Sequence, residues 1–371
     1  MSKQPKDASS FCSTTTHSAV KKIVITSQRR CAWLACPDSR FDPFRRMYVE
    51  QSVWEVVVKA LTLLMVNDYP DYIDAGEWAR SLKARVSGLD FRLWPHHGDP
   101  GDIDLVLIDK GTPRGFFEGM TRLRAVAYLG AGIDGLQLGE LPAGVGVVRL
   151  ATRELASEVV QYIVLRVLCR QRHVVEYAVQ QTQKIWRPIA PRKISETGIV
   201  ILGAGRIGGW AARLFAELGY RSAAWSRNPK QIADVACYAG APALKEALAE
   251  RDFVVCALPL TTETRGILNS ETFRLMKRGA YLVNVGRGAH VDEAALLHAI
   301  DAGQLSGACL DVFTSEPLDQ ASPLWVHPKV TITPHVASYW VDSGIAQVAG
   351  LCEQIKLGND ITNLVNLERG Y

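Results

Sequence analysis

The sequence predicts an α/β fold with two doubly wound parallel-sheet domains, one inserted into the other. Three observations predict it. Short apolar runs rich in Val, Ile and Leu alternate with stretches of helical periodicity, as expected of parallel strands covered by helices on both faces. A glycine-rich turn in the middle of the chain joins one of these runs directly to a helical pattern. The 371 residues are enough for two separate hydrophobic cores.

The composition is that of an ordinary globular protein and limits the classes of partner. Hydrophobic residues make up 48% of the chain and charged residues 22%, with a formal net charge of +4. Because the basic residues form no concentrated stripe, we expect no nucleic-acid partner. The apolar run around residues 56–66 is interrupted by Lys59 and is too short to span a bilayer, so we expect no membrane association.

The eight cysteines are scattered and include no pair of CxxC units, the spacing that commonly holds zinc. We therefore expect no metal site and interpret the cysteines as free thiols of a cytoplasmic protein. The His96-His97 pair lies in a loop rich in Pro and Gly and is interpreted as a surface turn.

Residues 1–55 differ from the rest of the chain. They are rich in polar and basic residues and lack sustained periodicity, which predicts a poorly ordered N-terminal extension. Because the N-terminus is polar, we expect no cleavable secretory signal, whereas an organelle transit peptide, interrupted by Asp7 and Asp38, stays open. A translation start further downstream, at Met47, is a third interpretation.

From residue 56 the alternation is regular and divides the chain into two domains. The first combines residues 56–150 with residues 336–371, and the second comprises residues 151–335. In the first domain the pattern predicts strands at 61–66, 91–94, 105–108 and 125–129, a helix at 75–86 and a C-terminal helix after residue 338. In the second it predicts one helical stretch at 154–186, a helix at 293–301, and strands at 199–202, 222–225, 253–258, 281–285, 308–311 and 330–333.

The strand at 199–202 runs into Gly-Ala-Gly-Arg-Ile-Gly and then into a helical pattern, the order that a Rossmann NAD(P)-binding domain requires. Gly203 is expected to allow the sharp turn, Gly205 the approach of a pyrophosphate, and Gly208 the close packing of helix on strand. The helix N-terminus, with Arg206 and Ile207, is expected to face the phosphates. An ordinary glycine turn is the alternative.

The end of the next strand predicts the choice of cofactor. An NAD enzyme usually places an acidic residue there to bind the ribose 2′-hydroxyl. This chain has Ser226, Arg227 and Lys230 instead, a hydroxyl and two cations that suit a 2′-phosphate. We therefore predict that NADPH is preferred over NADH. The alternative is that Arg227 and Lys230 are ordinary solvated loop charges.

Several segments resemble a known family. Residues 283–288, 310–318 and 332–337 resemble, in order and spacing, the signatures of the D-isomer-specific 2-hydroxyacid dehydrogenases, and within that family the glyoxylate/hydroxypyruvate reductases. Shorter matches are residues 129–134, 322–325 and 369–371. The resemblance covers residues 61–371. It implies a Rossmann domain inserted into a flavodoxin-like substrate domain, and a homodimer.

The resemblance implies three catalytic residues, each suited to the reduction of a 2-keto acid. Arg287 follows a buried strand, and its guanidinium can bind a substrate carboxylate with two hydrogen bonds at any working pH. His335 is the implied proton donor, because imidazole exchanges protons near neutrality. Glu316 is expected to hydrogen-bond this imidazole, which favours its protonated form and fixes its orientation. Without the resemblance, Arg287 could belong to a structural ion pair and His335 to a structural hydrogen bond.

Further contacts are implied by the same matches. Asp311 is implied to contact the nicotinamide carboxamide, and Pro259 to border the cofactor. The turn Gly130-Ala131-Gly132 could present backbone N–H groups to the substrate carboxylate. The residues alone leave two alternatives open, Asp311 as a turn residue at a strand end and the glycine turn as the start of a helix.

The resemblance implies that the protein reduces small 2-keto acids with NADPH, glyoxylate to glycolate and hydroxypyruvate to D-glycerate. One departure concerns the substrate, because Asp109-Lys110-Gly111 stand where aromatic or basic residues are expected. A dehydrogenase of the same family with a larger substrate is therefore an alternative. A non-catalytic dinucleotide-sensing protein is another, although such a sensor has no need of a proton donor.

Overall fold

The structure is a computed structural model that describes residues 20–23, 56–68, 73–109, 111–130, 132, 133, 136–338 and 342–366. The predictions for Ala131, for Lys110, for residues 369–371 and for most of the N-terminal extension lie outside these residues. Within the extension, strand β1 (Val20–Ile23) is described, and it pairs antiparallel with β2 (Val56–Lys59).

The first large sheet has five parallel strands in the spatial order β4-β3-β5-β6-β7. The elements are β3 (Leu61–Val66), α1 (Ala75–Arg85), β4 (Leu89–Leu93), β5 (Leu105–Ile108), β6 (Ala125–Tyr128) and β7 (Gly146–Arg149). This is the strand order of flavodoxin-like folds. Every residue of β3 and β5 is buried, as expected of central strands with both faces covered.

The helical stretch predicted at 154–186 is two helices, α2 (Arg153–Gln171) and α3 (Val174–Thr182). The prediction of one helical stretch was therefore wrong. The break falls at His173, whose φ of 56° is left-handed, a conformation that a continuing helix of L-residues excludes. The apolar periodicity gave no signal of this turn.

No helix in the described part of the chain has the length and apolar character to cross a membrane.

The second large sheet has seven parallel strands in the order β10-β9-β8-β11-β12-β13-β14. The strands are β8 (Gly198–Leu202), β9 (Arg221–Ser226), β10 (Ala236–Ala239), β11 (Phe253–Cys256), β12 (Ala280–Asn284), β13 (Leu305–Leu310) and β14 (Val330–Ile332). The helices are α4 (Arg206–Glu217), α5 (Leu244–Leu248), α6 (Ser270–Leu275) and α7 (Glu293–Asp301). Sequence analysis missed the short elements β10, α5 and α6. The order is that of a Rossmann sheet extended by one strand.

The chain returns to the first sheet at its C-terminal end. Helix α8 (Asp342–Leu357) packs on α1, with Ile345 and Val348 in the core of that sheet. Beyond α8, the N–H of Val365 donates to the carbonyl oxygen of Val147 at 2.8 Å. The second sheet therefore lies, in sequence, between two parts of the first unit.

The site is positioned by the strand order of the second sheet. The glycine turn follows β8, Arg287 follows β12, Asp311 follows β13 and His335 follows β14. Because parallel strands all end at the same edge, these residues meet there. In open α/β sheets this is the edge where ligands bind, next to the point at which the strand order reverses, here between β8 and β11.

Candidate active site

The glycine turn after β8 has the shape that a dinucleotide requires. Gly203 has φ of 108°, and a Cβ atom there would lie 2.6 Å from the carbonyl oxygen of Ala257. A Cβ at Gly208 would lie 1.8 Å from the carbonyl oxygen of Gly203, so only glycine lets α4 pack this closely. At Gly205, by contrast, a Cβ would meet no atom within 4 Å. The turn therefore offers an open approach to its backbone at the start of α4, where a pyrophosphate binds in such folds.

Arg206 and Ile207 occupy the first turn of α4. The Arg206 guanidinium donates a hydrogen bond to the carbonyl of Ala151, just before α2. It also lines a cavity together with Arg153 and Trp210. Ile207 is half-buried against the core of the sheet. Arg206 therefore lies where α4 meets the segment joining the two sheets, and the predicted contacts of both residues with a cofactor stay predictions.

The cations after β9 lie close to the glycine turn. Lys230 lines a cavity with Gly205, Gly209 and Arg213. Sequence analysis missed Arg213, although its spacing of seven from Arg206, two helical turns, places both on one face of α4. Two cations therefore border the open side of the turn, where a 2′-phosphate could be bound.

The other two residues predicted to contact the phosphate have partners within the protein. Ser226 donates its hydroxyl to the carbonyl oxygen of Asn228 at 2.8 Å. The pKa of Glu263 is lowered by a hydrogen bond with the Thr261 side chain and, to a smaller extent, by the charge of Arg227. Arg227 directly follows β9, at the same edge of the sheet as the loop after β11.

Arg287 is held by a turn that is built through Asn284. The buried Asn284 side chain donates to the carbonyl oxygen of Arg287 at 2.9 Å and accepts from the N–H of Gly286 at 3.1 Å. A Cβ at Gly288 would lie only 1.8 Å from the carbonyl carbon of Phe313. The Arg287 turn therefore packs directly on the backbone that leads to Glu316.

His290 is a buried residue of this site that sequence analysis missed. Its Nδ1 accepts the N–H of Arg287 at 2.9 Å, and its Nε2 lies 3.2 Å from the carbonyl oxygen of Pro259. Because a backbone N–H only donates and a carbonyl only accepts, the ring is neutral with its hydrogen on Nε2. His290 thus ties Arg287 to Pro259, a residue predicted to border the cofactor. A polar residue among the apolar neighbours Ala289 and Val291 was the one signal in the sequence.

His335 and Glu316 form a hydrogen bond, with Nδ1 of the imidazole 2.8 Å from Oε2 of the carboxylate. The other carboxylate oxygen accepts the N–H of Phe313 at 2.9 Å. The His335 side chain is 47% exposed, whereas that of Glu316 is 19% exposed. Since Glu316 occupies Nδ1, Nε2 is the nitrogen that can face a substrate.

The carboxyl group of Glu316 is kept ionised by its neighbours. Burial raises its pKa, but the hydrogen bond and charge of His335, the N–H of Phe313 and the charge of Arg287 outweigh burial and lower the pKa below its ordinary value. The Arg287 turn packs on the backbone of Phe313, whose N–H is bonded to Glu316. The structure thus brings together the three residues predicted to be catalytic.

Asp311 holds the turn that carries His335. Its buried carboxylate accepts the Thr333 hydroxyl at 2.6 Å and the N–H groups of Val336 and Ala337, each at 2.9 Å. Its carbonyl oxygen accepts the N–H of His335 at 2.8 Å. His335 has φ of 55°, an unfavourable conformation for a non-glycine residue that these bonds maintain. The predicted contact of Asp311 with the nicotinamide stays a prediction.

The predicted substrate turn follows β6 at the carboxyl edge of the first sheet. The N–H of Gly130 donates to the carbonyl oxygen of Tyr128 at 2.9 Å, so this amide is directed at the protein. Gly132 is described, Ala131 is not, and their contacts with a substrate stay predictions. After β5, Asp109 accepts the N–H of Asp68 at 3.0 Å.

Across the described ranges, no group of three or more His, Cys, Asp and Glu could hold a metal ion.

Comparisons with known proteins identify the family of this chain. The NAD binding domain of the D-isomer specific 2-hydroxyacid dehydrogenases matches residues 164–337. Glyoxylate/hydroxypyruvate reductase A of Yersinia enterocolitica is 37% identical over 310 residues, which is 82% of this chain and 98% of that protein. The chain belongs to the D-isomer specific 2-hydroxyacid dehydrogenases. As a member of this family, it is an NAD(P)-dependent oxidoreductase.

Solved structures of two relatives have the same fold as this dehydrogenase. One, a D-isomer specific 2-hydroxyacid dehydrogenase of Xanthobacter autotrophicus in complex with NADPH and MES, has 35% identity and a TM-score of 0.76, covering 84% of this chain and 100% of that one. The other, the NADPH-dependent glyoxylate/hydroxypyruvate reductase of Sinorhizobium meliloti in complex with NADP and sulfate, has 30% identity, a TM-score of 0.76 and the same coverage. The predicted fold class and family are therefore confirmed.

Proposed function

We propose that this dehydrogenase uses NADPH to reduce small 2-keto acids, glyoxylate to glycolate and hydroxypyruvate to D-glycerate. The observation that carries the proposal is the hydrogen bond of 2.8 Å between His335 Nδ1 and Glu316 Oε2, next to the turn of Arg287. A cation for a carboxylate and an oriented imidazole are what a 2-keto acid needs. The names of the Yersinia and Sinorhizobium relatives support the same substrate class.

In the proposed reaction, two side chains act on the substrate and a third, Glu316, acts through His335. The reduced nicotinamide, when bound, supplies the hydride to the carbonyl carbon. Arg287 binds the substrate carboxylate with two parallel hydrogen bonds and so orients the carbonyl group. His335 delivers a proton from Nε2 to the carbonyl oxygen, and Glu316 orients the ring through its hydrogen bond with Nδ1. In alcohol oxidation His335 accepts the proton instead.

The proposed preference for NADPH rests on the charges near the glycine turn. Lys230 and Arg213 line the cavity beside Gly205, and no acidic residue stands at the end of β9, where the segment Ser226-Arg227-Asn228-Pro229-Lys230 follows. An acidic residue there would repel a 2′-phosphate, whereas cations bind it. The relatives solved with NADPH or NADP support this preference.

The proposed assembly is a homodimer through the apolar surface of α3 and the segment after it. Val174, Val175 and Val179 are 49%, 51% and 50% exposed, and Trp186 is 99% exposed. A second copy would cover this surface, because symmetric pairing buries the same patch on both subunits. Size-exclusion chromatography with light scattering tests it, and Val175→Asp is expected to yield monomers. A monomeric wild-type protein would contradict the assignment.

The proposed compartment is the cytoplasm. Cys256, Cys309 and Cys352 are free thiols buried in the core, and burial raises the pKa of each. Unpaired buried thiols suit a reducing compartment. Fractionation of cells that express the full chain tests this proposal, and recovery outside the cytoplasmic fraction would contradict it.

One assay tests the activity and separates it from its rivals. NADPH and NADH are each combined with glyoxylate, hydroxypyruvate and phenylpyruvate, and oxidation of the reduced cofactor is followed by its absorbance. We expect turnover with the two small acids and a higher kcat/KM with NADPH. Turnover with phenylpyruvate alone would instead indicate a dehydrogenase of larger substrates. Cofactor binding without keto-acid-dependent oxidation would indicate a sensor.

A further inference from the structure

A buried tyrosine of α2 contacts the turn that carries His335. Tyr162 is 8% exposed, and its hydroxyl forms a hydrogen bond with the hydroxyl of Thr333. The same hydroxyl lies 3.5 Å from Sγ of Cys309 on β13. None of the proposed steps uses Tyr162, and no substrate contact is needed to explain its position.

The direction of these hydrogen bonds follows from the chemistry of the groups. Both carboxylate oxygens of Asp311 accept backbone N–H groups, and Thr333 donates its hydroxyl hydrogen over the 2.6 Å to Oδ1. A hydroxyl has one hydrogen, and that of Thr333 is then committed. Tyr162 must therefore donate to Thr333. The result is a directed chain from Tyr162 through Thr333 to Asp311.

The end of this chain is the backbone on both sides of His335. The carboxylate that receives the Thr333 hydroxyl also receives the N–H groups of Val336 and Ala337, at 2.9 Å each. The carbonyl oxygens of Asp311 and Thr333 accept the N–H of His335 itself, at 2.8 and 3.0 Å. Any rotation of Thr333 or Asp311 would thus move a residue whose φ of 55° depends on these contacts.

We propose that Tyr162 is a positioning residue for His335, and that it acts through Thr333 and Asp311. The assignment rests on the proposed role of His335 as proton donor. Tyr162 orients the Thr333 hydroxyl toward Asp311, and Asp311 then holds the turn in which the imidazole meets Glu316. Because Tyr162 and Asp311 at its two ends are buried, each of these hydrogen bonds is stronger than in water, and the loss of one is costly.

The position of Tyr162 is itself well defined. Its ring packs in the core between α2 and the second sheet, and the Arg166 guanidinium lies 4.7 Å from the ring centroid. Burial raises the pKa of the Tyr162 hydroxyl, so it stays protonated and able to donate. The Tyr162 hydroxyl therefore has a defined position, from which it can orient the His335 turn through Thr333.

The test compares Tyr162→Phe with Tyr220→Phe. Tyr220 is also buried in the second unit, and its hydroxyl has no hydrogen-bond partner among the described residues. Tyr220→Phe therefore removes the same atom but leaves the hydrogen bonds from Tyr162 through Thr333 to Asp311 intact. We expect Tyr162→Phe to lower kcat with glyoxylate by about 3- to 10-fold, the effect of one lost hydrogen bond. We expect the KM for NADPH to change by less than about 2-fold, since the bond carries no cofactor binding. A kcat equal to that of Tyr220→Phe would overturn the proposal.

A second pair of variants covers the case in which Tyr162→Phe does not fold. Thr333→Ser keeps the hydroxyl, whereas Thr333→Val leaves Tyr162 and Asp311 without their shared partner. We expect kcat of Thr333→Ser to exceed that of Thr333→Val by at least about 10-fold, because two buried polar groups lose a bond in the valine variant. Equal kcat values would overturn the proposal.

A spectroscopic measurement separates this proposal from the proposed function. In protein labelled with ¹⁵N-histidine, the Nδ1–H signal of His335 is identified by its loss in His335→Gln. We expect this signal to shift or broaden in Tyr162→Phe and to stay unchanged in Tyr220→Phe. An unchanged signal in Tyr162→Phe would overturn the positioning role even in an active enzyme. A wild-type protein without keto-acid reduction would overturn the proposed function, while the signal would still report the geometry.

Discussion

Nδ1 of His335 lies 2.8 Å from Oε2 of Glu316, although 19 residues separate the two in sequence. Both partners are anchored to backbone, His335 through its N–H to the carbonyl of Asp311 and Glu316 through its second oxygen to the N–H of Phe313. The relationship fixes which ring nitrogen faces a substrate. The role of each residue in the pair can be tested by its own substitution.

Replacement of His335 by Ala is expected to lower kcat by about 10²- to 10⁴-fold, the contribution of a positioned acid–base group. The substitution should lower the melting temperature only modestly, because the side chain is half-exposed and its removal breaks one hydrogen bond, that to Glu316. Steady-state kinetics with NADPH and glyoxylate measure the loss. His298→Ala, at an exposed histidine of α7, is the control. Near wild-type activity of His335→Ala would remove this residue from the mechanism.

Replacement of Glu316 by Gln is expected to change how stability depends on pH. The pKa of Glu316 is lower in the folded protein than its ordinary value of 4.5, so the ionised carboxylate stabilises the fold. That stabilisation is fully present above the unfolded-state pKa and is lost as the pH falls through the folded-state pKa. The difference in free energy of unfolding between wild type and Glu316→Gln should therefore shrink on acidification below pH 4.5.

Urea denaturation at a series of pH values measures this difference. The same substitution in a His335→Gln background is the control, because it lacks the partner that contributes most to lowering the pKa. We expect a flatter pH dependence there. A difference between wild type and Glu316→Gln that stays constant through acid pH would contradict the prediction.

Replacement of the buried His290 by Leu is expected to weaken substrate binding and stability together. It leaves the N–H of Arg287 and the carbonyl of Pro259 without the bonds at 2.9 and 3.2 Å. Loss of the part-buried bond to the N–H of Arg287 destabilises the protein by about 1–3 kcal/mol, whereas the carbonyl oxygen of Pro259 still accepts the Thr264 hydroxyl at 2.7 Å. The KM for glyoxylate should rise more than the KM for NADPH, because the Arg287 turn loosens. Urea denaturation and kinetics measure both effects, and an unchanged glyoxylate KM would contradict the positioning of Arg287 by His290.

Two glycines of one turn are expected to respond in opposite ways to alanine. At Gly205 a Cβ meets no atom within 4 Å, whereas at Gly208 it would lie 1.8 Å from a carbonyl oxygen. Gly205→Ala should therefore fold with a nearly wild-type melting temperature but bind NADPH at least about 10-fold more weakly, since its methyl group occupies the approach to the backbone. Gly208→Ala should unfold at a lower temperature. Thermal denaturation and NADPH titration measure these effects, and the reverse pattern would exclude this turn as the phosphate site.

Reversal of the charge at Lys230 is expected to reverse the choice of cofactor. Lys230→Glu places a carboxylate near Gly205, which repels a 2′-phosphate, and the ratio of kcat/KM for NADPH to that for NADH should fall by about 10- to 100-fold. Lys329→Glu makes the same charge change just before β14, at the opposite edge of the sheet. Equal ratios in the two variants would show that Lys230 is an ordinary surface charge.

The sequence predicted the parts of the site that depend on local spacing. The turn from Gly203 to Gly208 was readable because a strand, three glycines and a helix follow one another within a few residues. The motifs that carry Arg287, Glu316 and His335 were readable for the same reason. The break between α2 and α3 was not, because it depends on one backbone angle at His173 that the apolar periodicity does not reflect.

Contacts between distant residues were beyond what the sequence could predict. Tyr162 and Thr333 are 171 residues apart, and His290 lies 31 residues from Pro259. From the sequence alone, Tyr162 and His290 could each form hydrogen bonds with several different residues. Asp311 illustrates the difference, since its position in a motif implied a cofactor contact, while the structure shows it holding the backbone of the His335 turn.

The sequence by itself determined two parallel sheets, a glycine turn of the dinucleotide-binding type and the residue types proposed to act on a 2-keto acid, because periodicity and short spacings are properties of neighbouring residues. Only the tertiary structure decided that Nδ1 of His335 is bonded to Glu316, that the His290 ring lies between Arg287 and Pro259, and that a chain of hydroxyls joins α2 to the His335 turn. The physical reason is that hydrogen bonds are directional and short-ranged. The partners of each hydrogen bond are therefore selected by the packing of strands and helices, which brings the polar atoms of distant residues within about 3 Å of each other.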